Sequence, residues 1–105
     1  MAKYRHFGIP TSRQSADEIY IESAKVYVTD PEAHPYNVEF LRFDADSDFN
    51  ALVQKHPHVA FEVEDLDAAI AGKNVIIPPF NATPQLRCAF ITDNEAVIEL
   101  IQPIG

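Results

Sequence analysis

The chain has 105 residues, of which 47% are hydrophobic, with a formal charge of −8 and one cysteine. This is enough apolar material for one folded domain with a modest core, and it argues against disorder. No apolar run approaches the roughly 20 residues of a membrane span, no basic cluster suits nucleic acid, and a lone cysteine forms no internal disulfide. The stretch MAKYRHFGIP lacks the apolar segment of a secretion signal, so a cytoplasmic location is expected.

In chain order, HFGIPT (6–11) reads as the first strand. Ser15 and Glu18 match a capping box, yet IYIE (19–22) is β-rich, so a strand is favoured there over a helical turn. KVYVTD (25–30) and NVEFLRFD (37–44) alternate as strands. A short helix is expected over 49–55, with Phe49, Leu52 and Val53 on one face and His56-Pro57 stopping it. HVAFEV (58–63) alternates cleanly as a strand. The helix from Leu66 to Ala71 has Asp65 as cap, Leu66, Ala69 and Ile70 as its apolar stripe, and Gly72 as its end. A short strand over 75–78 stops at Pro-Pro, which puts Pro78-Pro79-Phe80 in a loop beside the cavity entrance. RCAFIT (87–92) and AVIELIQ (96–102) form a hairpin across Asp93-Asn94-Glu95.

The two ends of this list rhyme. HFGIP opens and NVEFLRF closes the first half; HVAFEV opens and AVIELIQ closes the second. Each opening strand is led by a histidine and each closing strand contains a glutamate, at spacings of 33 residues (His6 to Glu39) and 41 (His58 to Glu99). A carboxylate within an apolar strand, as Glu99 is, must reach water or find a partner, because an unpaired buried charge costs several kcal/mol. Strand alternation places His6 and Gly8 on one face, and His58, Ala60 and Glu62 on another. If a pseudo-twofold relates the halves, two imidazoles and two carboxylates converge, a donor set suited to a divalent metal.

Simpler readings stand beside this one. Glu99 and Glu39 can be exposed or arginine-paired strand carboxylates, and His6 and His58 can be half-exposed residues at strand starts. His34 and His56, next to prolines, read as solvated. Cys88 alternates into RCAFIT and reads as core, without an evident histidine to activate it. Asp44, Asp46 and Asp48 read as a solvated turn, since the glycine and distal glutamate of a calcium loop are missing. Glu62 is either an acid supporting the site or a polar strand end.

HVAFEVEDLDAAIAG followed by LRCAFITDNEAVIELIQ resembles the second module of the vicinal oxygen chelate superfamily, which includes glyoxalase I, extradiol dioxygenases and bleomycin-resistance proteins. The resemblance covers residues 57–103 well and 4–44 loosely. It implies an α+β fold: two βαβββ-type modules, about 4–46 and 57–103 of a single 1–105 domain, with curled mixed sheets around a central cavity. It implies His6, Glu39, His58 and Glu99 as ligands of a zinc, nickel, manganese or iron ion, with Glu99 or Glu39 as the proton-transferring residue. The implied activity is a glyoxalase-like lyase or isomerase acting on a small substrate with vicinal oxygens; the alternative is a metal-free ligand-sequestering protein of the bleomycin-resistance type. The first module departs from the pattern. SRQSADEIYIESA is too short and polar for the usual helix, so that module is expected to be reduced to strands, and a homodimer is expected to supply the missing wall.

Overall fold

Alternation of β-branched and aromatic residues with polar ones drives most of this chain into strands, and the computed structural model, which describes residues 2–104, joins all of them in one sheet. The strands are β1 (Lys3–Pro10), β2 (Ile19–Ile21), β3 (Val26–Val28), β4 (Val38–Phe43), β5 (His58–Glu62), β6 (Asn74–Thr83), β7 (Leu86–Asp93) and β8 (Ala96–Pro103). Their order across the sheet is β2-β3-β4-β1-β5-β8-β7-β6. Each half places its first strand parallel to its fourth, β1 with β4 and β5 with β8, and the remaining pairs are antiparallel. The halves meet where β1 runs antiparallel to β5, so the strand order of one half mirrors that of the other. The sheet curls into a half-barrel, and residues of β2 and β3 at one edge line the same cavity as residues of β6 and β7 at the other.

The second half keeps its helix. Asp65 accepts a hydrogen bond from the Ala68 N–H at 3.2 Å and starts α2 (Leu66–Ile70), after which Gly72 turns the chain at φ +74°. Leu66, Ala69 and Ile70 pack on the outer face of the sheet against Ala89, Ile91 and Leu100. The other helix, α1 (Ala51–Lys55), lies in the connection between the halves. It starts two residues later than the sequence pattern suggests, because Asn50 caps it through the Leu52 N–H. Val53 is fully buried against Phe90 and Val97, whereas Leu52 points outward and is 41% exposed.

The first half has no helix between Pro10 and Ile19, as its polar sequence suggests, and Ile19–Ile21 is a strand. A 3-10 turn at Pro31–Ala33 joins β3 to the segment before β4. The clearest departure is β6. It does not stop at Pro78 but continues through both prolines to Thr83. β6 is an edge strand, where an absent N–H breaks no ladder on the solvent side, and its register against β7 shifts around the prolines. Pro78-Pro79-Phe80 is therefore strand and not loop. The β7–β8 turn is tight: Asn94 and Glu95 both have positive φ, 49° and 72°, as a type I′ turn requires.

Candidate metal centre

Strand register brings the two histidines and two glutamates together. Glu39 on β4, Gly8 on β1 and His58 on β5 lie abreast. Two residues along the same face, His6 on β1, Ala60 on β5 and Glu99 on β8 lie abreast. Each rung thus has a small residue between a histidine and a glutamate, and the two rungs run in opposite senses, as a twofold between β1 and β5 demands. The small residues leave room for the rings. At Gly8 the need is absolute: a Cβ there would lie 2.2 Å from Cε1 and 2.5 Å from Nε2 of His58.

The donor atoms are close and dry. His6 Nε2 is 3.2 Å from Glu39 Oε1 and 3.4 Å from Glu99 Oε1, and His58 Nε2 is 3.2 Å from the same Glu99 oxygen. All four side chains offer a ligand atom within 4.8 Å of the others. Ligands about 2.1 Å from a shared cation are separated by about 3.0 Å at right angles and about 3.4 Å at tetrahedral angles, so these spacings match edges of a coordination polyhedron. His6, His58 and Glu99 are 6%, 2% and 9% exposed. His6 Nε2 and His58 Nδ1 have no aligned hydrogen-bond partner among the described residues, although both are buried. An orphaned imidazole nitrogen facing two carboxylates, with only nitrogen and oxygen donors around it, fits a divalent cation.

Without a cation, the close approach of imidazoles and carboxylates shifts the titration of His6 and Glu99. Burial opposes the charge on His6, but the carboxylates of Glu39 and Glu99 overcome it and raise its pKa to about 9. Burial likewise opposes the charge on Glu99, and the hydrogen bond with His58 together with the nearby His6 imidazole overcomes it, holding its carboxyl below the usual range. The partner that the apolar setting of Glu99 demands is thus a pair of imidazoles.

The cluster sits between two spaces. On one side Phe43, Phe49, Phe80 and Phe90 close the half-barrel, and the Phe90 ring meets His58 edge-on at 5.2 Å. On the other a cavity of about 180 Å³ leads outward past Thr29, Thr83 and Leu86. Cys88 lines this cavity beside Glu99. Burial, reinforced by the Glu99 carboxylate, pushes its thiol far up, so Cys88 stays protonated and is a poor nucleophile. Sequence reasoning places Cys88 in the core but misses that it and Phe90 share the face of Glu99. The signal is the alternation of β7 read against β8.

Other candidates fall elsewhere. Glu62 does not join the cluster: its carboxylate accepts from Arg5 at 2.5 Å. Arg42 is held bidentately by Glu18 at 2.7 and 3.0 Å, and Arg87 by Asp67 at 3.0 Å. His56 is exposed, but His34 is not simply solvated, since it is half-buried with its ring against Tyr36 and Phe40 and its Nδ1 accepts from the Tyr36 N–H. Asp44 and Asp46 form an exposed turn in which Asp44 accepts from the Tyr20 hydroxyl and Asp46 pairs with Lys25.

A curled, mixed eight-stranded sheet with few helices, built from two mirrored halves around a buried His₂Glu₂ cluster, is the architecture expected from the resemblance to vicinal oxygen chelate proteins. Among solved structures the chain is similar to a hypothetical protein, BH1468, from Bacillus halodurans C-125, with a TM-score of 0.75 and 17% identity over 99% of this chain and 96% of that one. It is also similar to methylmalonyl-CoA epimerase from Mycobacterium tuberculosis, with a TM-score of 0.65 and 17% identity over 98% of this chain and 89% of that one. At such identities the likeness establishes the fold. No protein-family model and no curated protein matches the chain. No helix among the described residues is long and apolar enough to cross a membrane.

Proposed function

We propose that the chain is a divalent-metal-dependent lyase or isomerase of the glyoxalase-like kind, acting on a small substrate with vicinal oxygens. The observation that carries this reading is the cluster of four donors at coordination spacing, three of them buried and Glu39 half-buried, open on one side to a cavity. The fold likeness to an epimerase supports an isomerase-type reaction. His6, Glu39, His58 and Glu99 are the ligands, for zinc, nickel, manganese or iron. A bound cation supplies Lewis-acid stabilisation of the oxyanion that develops on the substrate. Glu99 or Glu39 takes the proton from the carbon beside a carbonyl and returns it to the neighbouring carbon, so the net change is an isomerisation. The aromatic wall around Phe90 excludes water from this transfer. The chain acts as a homodimer: the outer face of the first half lacks a helix and leaves Phe7 and Tyr20 each 43% exposed for a second copy to cover.

Elemental analysis of protein purified without chelator tests the central point, beside a His58→Ala, Glu99→Ala double variant. About one divalent ion per chain, lost in the variant, is the expected result. No binding of nickel, zinc, manganese or iron by the wild type would overturn the reading and leave a ligand-sequestering protein of the bleomycin-resistance type. Sedimentation at micromolar concentration tests the dimer.

A further inference from the structure

The cavity that reaches His6, Glu39 and Glu99 limits what can enter it. Its volume, about 180 Å³, is well below the 300 Å³ or more of typical drug-sized sites and holds roughly six water-sized heavy atoms. Its walls are aliphatic: Ile19, Ile21 and Val28 from β2 and β3 face Leu86 and Ile101 from β7 and β8. The β2–β3 hairpin thus forms the wall on the side of the half that has no helix. Charge is equally telling. Among the described residues Arg5 is the sole arginine or lysine lining this cavity, and Glu62 holds its guanidinium at 2.5 Å. Glu32 adds a negative charge to the rim, and the chain as a whole carries −8. Two carboxylates already balance a divalent ion, so no net positive charge remains to attract a further anionic group.

From this, and resting on the metal-centred reading above, we infer that the site selects small vicinal-oxygen compounds bearing a short, uncharged aliphatic tail, and that Ile19 and Ile21 set this selectivity. Tails ending in a carboxylate or phosphate are rejected. The chelating end sits at His6, Glu39 and Glu99, and the tail lies along Ile19, Ile21 and Leu86. Burying each methylene there raises affinity about fourfold until the cavity is full. A terminal carboxylate meets apolar walls, no free arginine and the field of Glu32.

The test uses protein loaded with Mn²⁺ and reads binding from water-proton relaxation as probes displace water from the ion. The probes share one chelating group and differ only in tail: acetohydroxamic acid, butyrohydroxamic acid, succinic monohydroxamic acid and the primary amide of the last. The expected result is that the butyro compound binds about tenfold tighter than the aceto compound, and that the succinic probe binds at least tenfold more weakly than its primary amide, which has the same number of heavy atoms and no charge. Ile19→Lys, at a position 61% exposed and tolerant of a polar side chain, is expected to improve binding of the succinic probe several-fold at low salt and weaken that of the butyro probe. Binding of the succinic probe by the wild type as tight as that of its amide or tighter, or no gain from the longer tail, overturns the inference while leaving the metal centre standing. Failure of the chain to bind Mn²⁺ or any other divalent ion overturns the metal centre itself, and the inference with it.

Discussion

The two halves of the sheet share a topology and differ in what supports it. In the second half, α2 seals the outer face, with Leu66 fully buried against Ala89 and Leu100. In the first, no helix among the described residues covers β1, β4 and β3, and the outer face carries half-exposed aromatics, with Tyr20 tilted against Tyr27 at 4.7 Å and Arg42 over the Tyr27 ring at 4.2 Å. Yet each half delivers one histidine and one glutamate to the same point. The donors are therefore placed by strand register and not by helix packing. A module can lose its helix and keep its share of the site, provided that its first and fourth strands stay paired.

The halves differ most in the core under α2. Leu66→Ala removes a side chain with no solvent exposure and is expected to cost about 2–5 kcal/mol in urea unfolding, whereas Tyr20→Ala on the first half's outer face costs under about 1 kcal/mol at concentrations too low for a second copy to cover it. Equal losses would mean that the two outer faces are equally supported.

Next in size is the pH dependence of metal-free protein. The folded-state pKa of His6 is raised to about 9 from 6.5, so its contribution is fully present below pH 6.5 and is lost as pH rises through about 9. The difference is of order 3 kcal/mol, and His6→Gln is expected to flatten the stability profile between these limits. Glu99 works in the opposite sense: its lowered pKa contributes stability above the ordinary carboxylate range that is lost in acid. A His6→Gln profile as steep as the wild type's between pH 6.5 and 9 would place the titration elsewhere.

The twofold itself can be sharpened. Gly8→Ala pushes a methyl into the His58 ring and is expected to weaken metal binding at least tenfold, whereas Ala60→Gly, its counterpart, costs only about 1 kcal/mol of stability and leaves affinity within a few-fold. Calorimetric titration with Zn²⁺ separates these outcomes. The smallest effect concerns the helix that one half lacks. Asp65→Ala removes the cap of α2 and should cost about 1 kcal/mol without altering metal affinity.

Much of this was legible in the chain. Alternation in HVAFEV and AVIELIQ puts His58 and Ala60 on one face and separates Glu99 from Ile98 and Leu100, and the fold keeps those assignments. The cap at Asp65 and the stop at Gly72 are local, and so are they in the structure. The extent of β6 was not legible, because Pro78 and Pro79 break a strand unless it lies at an edge, and edge position is a property of the whole sheet. The pairing of Arg5 with Glu62 was equally hidden: these residues are 57 positions apart and meet only because β1 and β5 run antiparallel.

The histidines and glutamates that could hold a cation, and the way each strand faces, can be read from the sequence, because residue type and a period of two are local properties. Only the tertiary structure decided that Glu39, Gly8 and His58 lie abreast, that His6 Nε2 faces two carboxylates, and that an aliphatic cavity opens over them. Those facts depend on register between strands distant in the chain. Register is set by the joint burial of every inward face at once, which no single segment encodes.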